Sequence, residues 1–202
     1  MKGLALGAVL WLGASAALAD ATDTLREFVR EVKSGRAAFT QTVTSPDGAK
    51  KKVSSGEFAF ARPDRFRFDY RKPFQQTLVG DGQKVWIHDA DLNQVSSRRF
   101  AQAIGSTPAA LLAGTGIDRD FDVSAEPTKD GLDWVLAKPK AKDGPFQSMR
   151  IGFRAKELAA VEIVDSFGQR SLIAFSAWQP NAALPAQTFR FVVPPGADVI
   201  EQ

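Results

Sequence analysis

Six consecutive residues, Arg65-Phe66-Arg67-Phe68-Asp69-Tyr70, alternate between a charge and an aromatic ring. Side chains along an extended strand point to opposite faces in turn, so the segment reads as a strand with one wet side and one greasy side. The same period of two recurs along most of the chain. Phe39-Thr40-Gln41-Thr42-Val43 is a strand, Ser45-Pro46-Asp47-Gly48 a turn, and Val53 to Phe60 a returning strand with Phe58 and Phe60 on one face. Pro73 ends the alternating strand. Gln76 to Val79, Asp81-Gly82 and Lys84 to His88 form a hairpin, and Asn93 to Ser97 adds a short strand. Further strands are expected at Phe121 to Ala125, Leu132 to Ala137, Phe146 to Phe153, Leu158 to Val164, Arg170 to Trp178 and Phe189 to Val193. Turns at Asp130-Gly131, Asp143-Gly144-Pro145, Ser166-Phe167-Gly168 and Gln179-Pro180-Asn181 separate them. The pattern leaves open whether Trp86, or Val85 and Ile87, face inward.

Two stretches break the period. Leu25, Phe28, Val29 and Val32 recur at helical spacing, with Arg26, Glu27, Arg30 and Glu31 between them, which predicts an amphipathic helix. Thr24-Leu25-Arg26-Glu27 has capping-box spacing, and Gly35 is a plausible stop. In mid-chain, Ser97 can cap a segment carrying Phe100, Ala103 and Ile104. Thr107-Pro108 opens a second one through Leu111, Leu112 and Ala113, ended by Gly114 and Gly116. A closed barrel filled by its own side chains would need neither helical stripe. The fold expected is mainly β with helices: an open, incomplete antiparallel β-barrel of about ten or eleven strands, with an apolar concave face covered by an α-helical lid.

The N-terminus reads as a separate piece. Lys2, an apolar run from Leu4 to Leu18 and Ala17-Leu18-Ala19 before Asp20 make a cleavable export signal, shorter than a membrane span. Residues 1–19 are thus expected to be removed, leaving 20–202 as a single domain that is exported and soluble. The chain has no Cys, which excludes disulfides, thiolate catalysis, Cys-based metal sites and a lipid-anchored Cys after the cleavage point. A net charge of +3 over 202 residues gives no broad field for nucleic acid or anionic membrane. Lys50-Lys51-Lys52 reads as a solvated hairpin end.

A search for catalytic groups finds little. His88 is the single histidine, with no G-x-S-x-G elbow to accompany it, and reads as a strand-end surface residue. Asp89-x-Asp91-x-Asn93 imitates a calcium loop, but Gln94 and Phe100 stand where that loop needs Gly and Glu. Asp118, Asp120 and Asp122 alternate on what reads as a solvated edge strand. Gly80-Asp81-Gly82-Gln83-Lys84 lacks phosphate-loop spacing. A pair of convergent carboxylates for glycoside hydrolysis has no specific support. The inventory favours a binding protein over an enzyme, with no cofactor.

Ala61-Arg62-Pro63-Asp64-Arg65-Phe66-Arg67-Phe68-Asp69-Tyr70 resembles the LolA family of periplasmic outer-membrane lipoprotein carriers. Phe39-Thr40-Gln41, Gly80-Asp81-Gly82 through Val85-Trp86-Ile87, Thr107-Pro108 with Leu111-Leu112, Asp165-Ser166-Phe167-Gly168-Gln169 and Phe189-Arg190-Phe191 through Val199 match in the same order. The resemblance implies an open barrel with a helical lid. It implies a carrier that takes acylated lipoproteins from an inner-membrane ABC transporter to a LolB-like outer-membrane receptor, as a monomer without stable membrane insertion or nucleic acid. It carries over a lid latch at Arg62 and an acyl-chain cavity and partner contact at Phe66, Phe68 and Tyr70. The lid's apolar face falls to Leu25, Phe28, Val29, Val32, Leu111 and Leu112, with Val29 standing where the family more often has Leu.

Such a role is physically reasonable. A triacylated terminus carries about forty methylenes, each costing roughly 0.8 kcal/mol to expose. A carrier must also release its load, so its empty state cannot be much less stable than its filled one. The alternative reading is a periplasmic regulatory or sensor module that binds lipoprotein or another amphiphile.

Overall fold

A computed structural model of the protein describes residues 21–100, 112–113, 117–141 and 146–201. The expected leader, Leu111, the helix around Ala103 and Ile104, the Thr107-Pro108 start, the Gly114 and Gly116 stops and the Asp143-Gly144-Pro145 turn lie outside these residues.

Eleven strands follow the period-two reading. One half of the sheet holds β1 (Ser34–Thr44), β2 (Lys51–Ala61), β3 (Arg65–Lys72), β4 (Gln76–Asp81), β5 (Lys84–Asp89) and β6 (Gln94–Arg99). The other holds β7 (Phe121–Lys129), β8 (Leu132–Pro139), β9 (Phe146–Arg154), β10 (Glu157–Asp165) and β11 (Arg170–Pro180). β1 pairs with both β2 and β11 and so joins the halves into one antiparallel sheet. A twelfth strand, β12 (Asp198–Glu201), lies parallel to β6. The order β12-β6-β5-β4-β3-β2-β1-β11-β10-β9-β8-β7 puts β12 and β7 at the two edges, so the sheet does not close on itself. This is the open barrel expected, with twelve strands rather than ten or eleven and one parallel pair.

One face of the sheet collects the rings. Phe39, Phe58, Phe60, Phe66, Phe68, Phe153 and their neighbours form a single buried apolar cluster, and helix α1 (Ala21–Glu31) contributes Leu25 and Phe28 to it. α1 packs on β7, β8 and β9, and a short α2 (Ile117–Asp120) adds Ile117. Burying Leu25 and Phe28 holds α1 down by roughly 3–6 kcal/mol. Surface ion pairs help to fix its direction, Glu27 with Lys156 at 3.0 Å and Arg26 with Asp118 at 3.8 Å.

Several local expectations change. α1 already runs through Thr24, which is buried rather than capping, because the helix includes Ala21 to Asp23. Gly35 does not stop the helix; it lies in β1 and is needed for close approach, since a Cβ there would come within 2.8 Å of the Trp178 ring. Ser97 is a buried strand residue, as β6 runs on to Arg99. Asp118 and Asp120 fall in α2, and only Asp122 is on the edge strand.

The C-terminal segment differs most. Phe189 to Val193 is not a strand. A 3-10 turn, Ala186–Phe189, leads into extended chain that straps the outer face of the sheet. Pro185 precedes this strap and Pro194-Pro195 follows it. Rings anchor it: Phe189 is buried beneath the Arg65 guanidinium, and Phe191 stacks on Trp86 at 5.3 Å. That contact settles the phase of β5, with Trp86 outward and Val85 in the interior cluster.

Candidate functional site

The concave face gains its apolar character strand by strand. On β3, Phe66 and Phe68 are buried while Arg67 and Asp69, at the alternate positions, pair on the outer side at 2.7 Å. Room for the rings comes from glycine. Gly80 is the cross-strand partner of Phe66, and a Cβ there would meet the Phe66 ring at 2.5 Å. Phe58 and Phe68 lie 4.5 Å apart, Phe39 and Phe68 5.1 Å, and Phe39 and Tyr70 5.0 Å, the last two edge-on. The row continues through Tyr70 to Phe74, which is exposed. One end of the aromatic floor is therefore sealed and the other reaches solvent.

At the sealed end, α1 completes the packing. The Phe28 ring sits 5.8 Å from Phe153, 6.1 Å from Trp178 and 6.2 Å from Phe60. Val29 and Val32 are half-buried against the same cluster, and Leu112 is buried within it. Directly beneath α1, these side chains pack on one another among the described residues. A cavity of about 750 Å³ lies on the outer face, between the strap and β1 to β3. Ala38, Ala59 and Ala177 line it beside Leu184 and Pro185.

The turn between β2 and β3 ties the cover down. Arg62 Nε donates to the Val32 carbonyl at 2.9 Å, just beyond the end of α1, and the Arg62 backbone N–H donates to Lys33 at 2.7 Å. Two residues on, the Asp64 N–H donates to the Ala113 carbonyl at 3.2 Å, so one turn holds both helical segments. The Arg62 side chain is buried, with its guanidinium 5.4 Å from the Phe28 ring centre and 5.2 Å from that of Phe60. Burial pulls its pKa down to about 10, which still leaves it charged at neutral pH. The aromatic faces and the carbonyl offset part of that desolvation.

Tyr70 marks the rim. Its hydroxyl donates to Gln41 Oε1 at 2.8 Å, and burial pushes its pKa up to about 12. The chain has a single tyrosine, so ultraviolet titration reads this group alone. The folded protein is expected to ionise with a midpoint near 12 and the unfolded chain near 10. The raised value makes a stabilising contribution that is intact below pH 10 and lost as pH rises through about 12. A folded-state midpoint near 10 would place the hydroxyl in water.

The structure brings Arg62, Phe66, Phe68, Tyr70, Leu25, Phe28, Val29, Val32 and Leu112 together around one interior; Leu111 lies outside the described residues. Sequence reasoning did not single out Phe153, Trp178 or Gly80, which complete the contact with Phe28 and Phe66. Their signal was weak, because each is one ring or glycine in an ordinary strand. The Asp89 carboxylate, considered for calcium, caps its own turn by accepting from the Asp91 and Leu92 N–H groups at 3.1 Å.

An open antiparallel sheet whose aromatic concave face is covered by an arginine-tied helix defines a helix-lidded half-barrel. The family model described as outer membrane lipoprotein carrier protein LolA matches residues 30–192. The chain is 63% identical to an outer-membrane lipoprotein carrier protein of Methylibium petroleiphilum over 96% of both chains. It is 59% identical to one of Leptothrix cholodnii, covering all of this chain and 94% of that one. The protein belongs to the LolA family. Among solved structures it resembles an uncharacterized conserved protein from Thermus thermophilus, with TM-score 0.53 and 13% identity over 90% of this chain and 99% of that one. A LolA superfamily protein from Nitrosomonas europaea gives TM-score 0.50 and 12% identity, over 86% and 98%. These two likenesses speak for the fold.

Proposed function

We propose that the protein is a periplasmic chaperone that carries lipoproteins by sheltering their acyl chains, and that it catalyses no reaction. The observation that supports this most directly is the turn at Arg62-Pro63-Asp64, which fastens both pieces of the cover across an aromatic interior. Curated relatives named as outer-membrane lipoprotein carriers, alike over nearly the full length, point the same way.

Leu25 and Phe28 stand in for acyl chains while the carrier is empty. When cargo arrives, its methylenes replace those side chains against Phe58, Phe60, Phe66 and Phe68, and the Arg62 bond to Val32 breaks. Because the empty interior is already dry, the net gain on loading is the difference between two buried states rather than the full hydrophobic transfer. Affinity is thereby held low enough for unloading. An inner-membrane ABC transporter supplies the cargo and a LolB-like receptor at the outer membrane takes it. Residues 1–19 serve as the cleaved export signal, and 20–202 as one carrier domain. Depletion of the protein in cells is the test: lipoproteins should accumulate in the inner membrane, and unchanged sorting would refute transport.

A further inference from the structure

Between the buried rings and the open rim, a row of polar side chains crosses the concave face. Gln41 of β1 lies cross-strand from Ser54 of β2 and from Ile173 of β11, and Ser171 stands one step nearer the rim, opposite Val43. The Gln41 amide is the hub. Its Nε2 donates to the Ser171 hydroxyl at 2.5 Å, and its Oε1 accepts from the Tyr70 hydroxyl at 2.8 Å and the Ser54 hydroxyl at 3.5 Å. Tyr70 is on β3, two strands from β1, and its cross-strand partner on β2 is Gly56, which puts no side chain in the way. Toward the Arg62 turn the same face carries the buried Phe39, Phe58 and Phe68. Toward the rim it carries Val43 and the exposed Lys52.

The donor balance decides the ligand class. These four side chains hold five polar hydrogens and use three of them among themselves, so two are left among the described residues. Exchanging the two ends of the Gln41 amide leaves that balance unchanged. Gln41, Tyr70 and Ser171 are only half-buried, which makes the row reachable from the rim. A bare methylene gains nothing from such donors and strips them of water. A phosphate or carboxylate would want a cation, and no bond of the row involves one. A neutral oxygen acceptor attached to an apolar chain fits both counts.

We propose that Gln41, Ser54, Tyr70 and Ser171 form a carbonyl-binding belt that holds the junction between the acyl chains and the rest of the cargo. The belt rests on the carrier role proposed above and adds a direction to it. Chains run toward Phe58 and Phe68, and the polar remainder leaves past Val43 and Lys52. Burial of methylenes is non-directional, so an aromatic floor alone accepts a chain at any depth. A hydrogen bond to one carbonyl fixes the depth. Esters and amides present the same oxygen chemistry, and an acylated terminus carries both.

Binding is measured with a fluorescent peptide bearing a diacylglyceryl-cysteine and with its dialkyl ether twin, which keeps both chains and lacks the ester carbonyls. The protein is expected to prefer the ester by roughly two- to tenfold. Gln41→Leu and Ser171→Ala should each erase that preference. Ser171→Ala removes one half-buried hydroxyl and should keep the melting midpoint, so it carries the test where Gln41→Leu does not fold. Carbon-13 in the ester carbonyls or in the first amide carbonyl separates the two sources, because a carbonyl that gains a hydrogen bond absorbs at lower infrared frequency. A shift of the ester band assigns the ester, and a shift of the amide band alone, with the twins bound alike, assigns the amide. Either shift should vanish in Ser171→Ala. Twins bound alike with neither band moving, or a preference that survives both substitutions, overturns the belt and leaves acyl-chain carriage standing. Failure to bind either twin overturns carriage and the belt with it.

Discussion

Phe66→Glu is expected to abolish acyl-chain loading and to lower the stability of the empty protein sharply. The Phe66 ring is fully buried, lies over Gly80 and packs 6.2 Å from Phe100. Removing a buried phenyl ring costs about 3–5 kcal/mol. A carboxylate in its place must be desolvated among the rings or take up a proton, which adds further cost. Against a typical domain stability of about 5–15 kcal/mol, that is a large fraction. Urea unfolding should show a much lower midpoint, and uptake of lipoprotein should be lost. Phe66→Leu serves as the control, since it keeps the site apolar and should retain folding and part of the uptake. A wild-type midpoint with normal uptake in Phe66→Glu would mean that this ring lies elsewhere.

Arg62→Leu should have the opposite signature, with a sound fold but a carrier that loads and does not let go. Leu retains much of the stem that packs on Phe28 and Phe60 but cannot donate to Val32. Loss of a charge-assisted bond weakens the closed form by about 1.5–3 kcal/mol, a shift toward the open form of roughly ten- to 150-fold. Amide exchange in α1 should quicken by that factor while the strands of the sheet stay protected. Cargo affinity should rise by a similar factor, because loading no longer has to break the bond, and transfer to the receptor should fail. Unchanged exchange in α1, or normal release, would remove Arg62 from the latch. The same substitution also removes a buried charge. If the melting midpoint rises, the desolvation of Arg62 outweighs its hydrogen bonds.

The strands were legible because their period is local. Phe66, Phe68 and Tyr70 could be assigned to one face from six residues, and the Leu25 and Phe28 stripe from eight. What local pattern does not contain is the identity of the surface on the other side. Phe189-Arg190-Phe191 alternates like a strand, yet its rings dock on the outer face at Arg65 and Trp86 without joining the ladder. The phase of Trp86 was undecidable for the same reason, since both faces of β5 are covered. Capping residues misled at Thr24 and Ser97, where burial and strand continuation outweighed local preference.

Only Val32 and Lys33 join α1 to β1. In the carrier proposed above, the side chains that would compete with cargo for the aromatic floor are on a two-residue leash, and their local concentration would not fall when the protein is diluted. On that proposal, return to the shut form after delivery would be a first-order event set by a short swing of chain. Its rate should be independent of how much carrier, cargo or receptor the compartment holds, so the molecule resets itself between rounds.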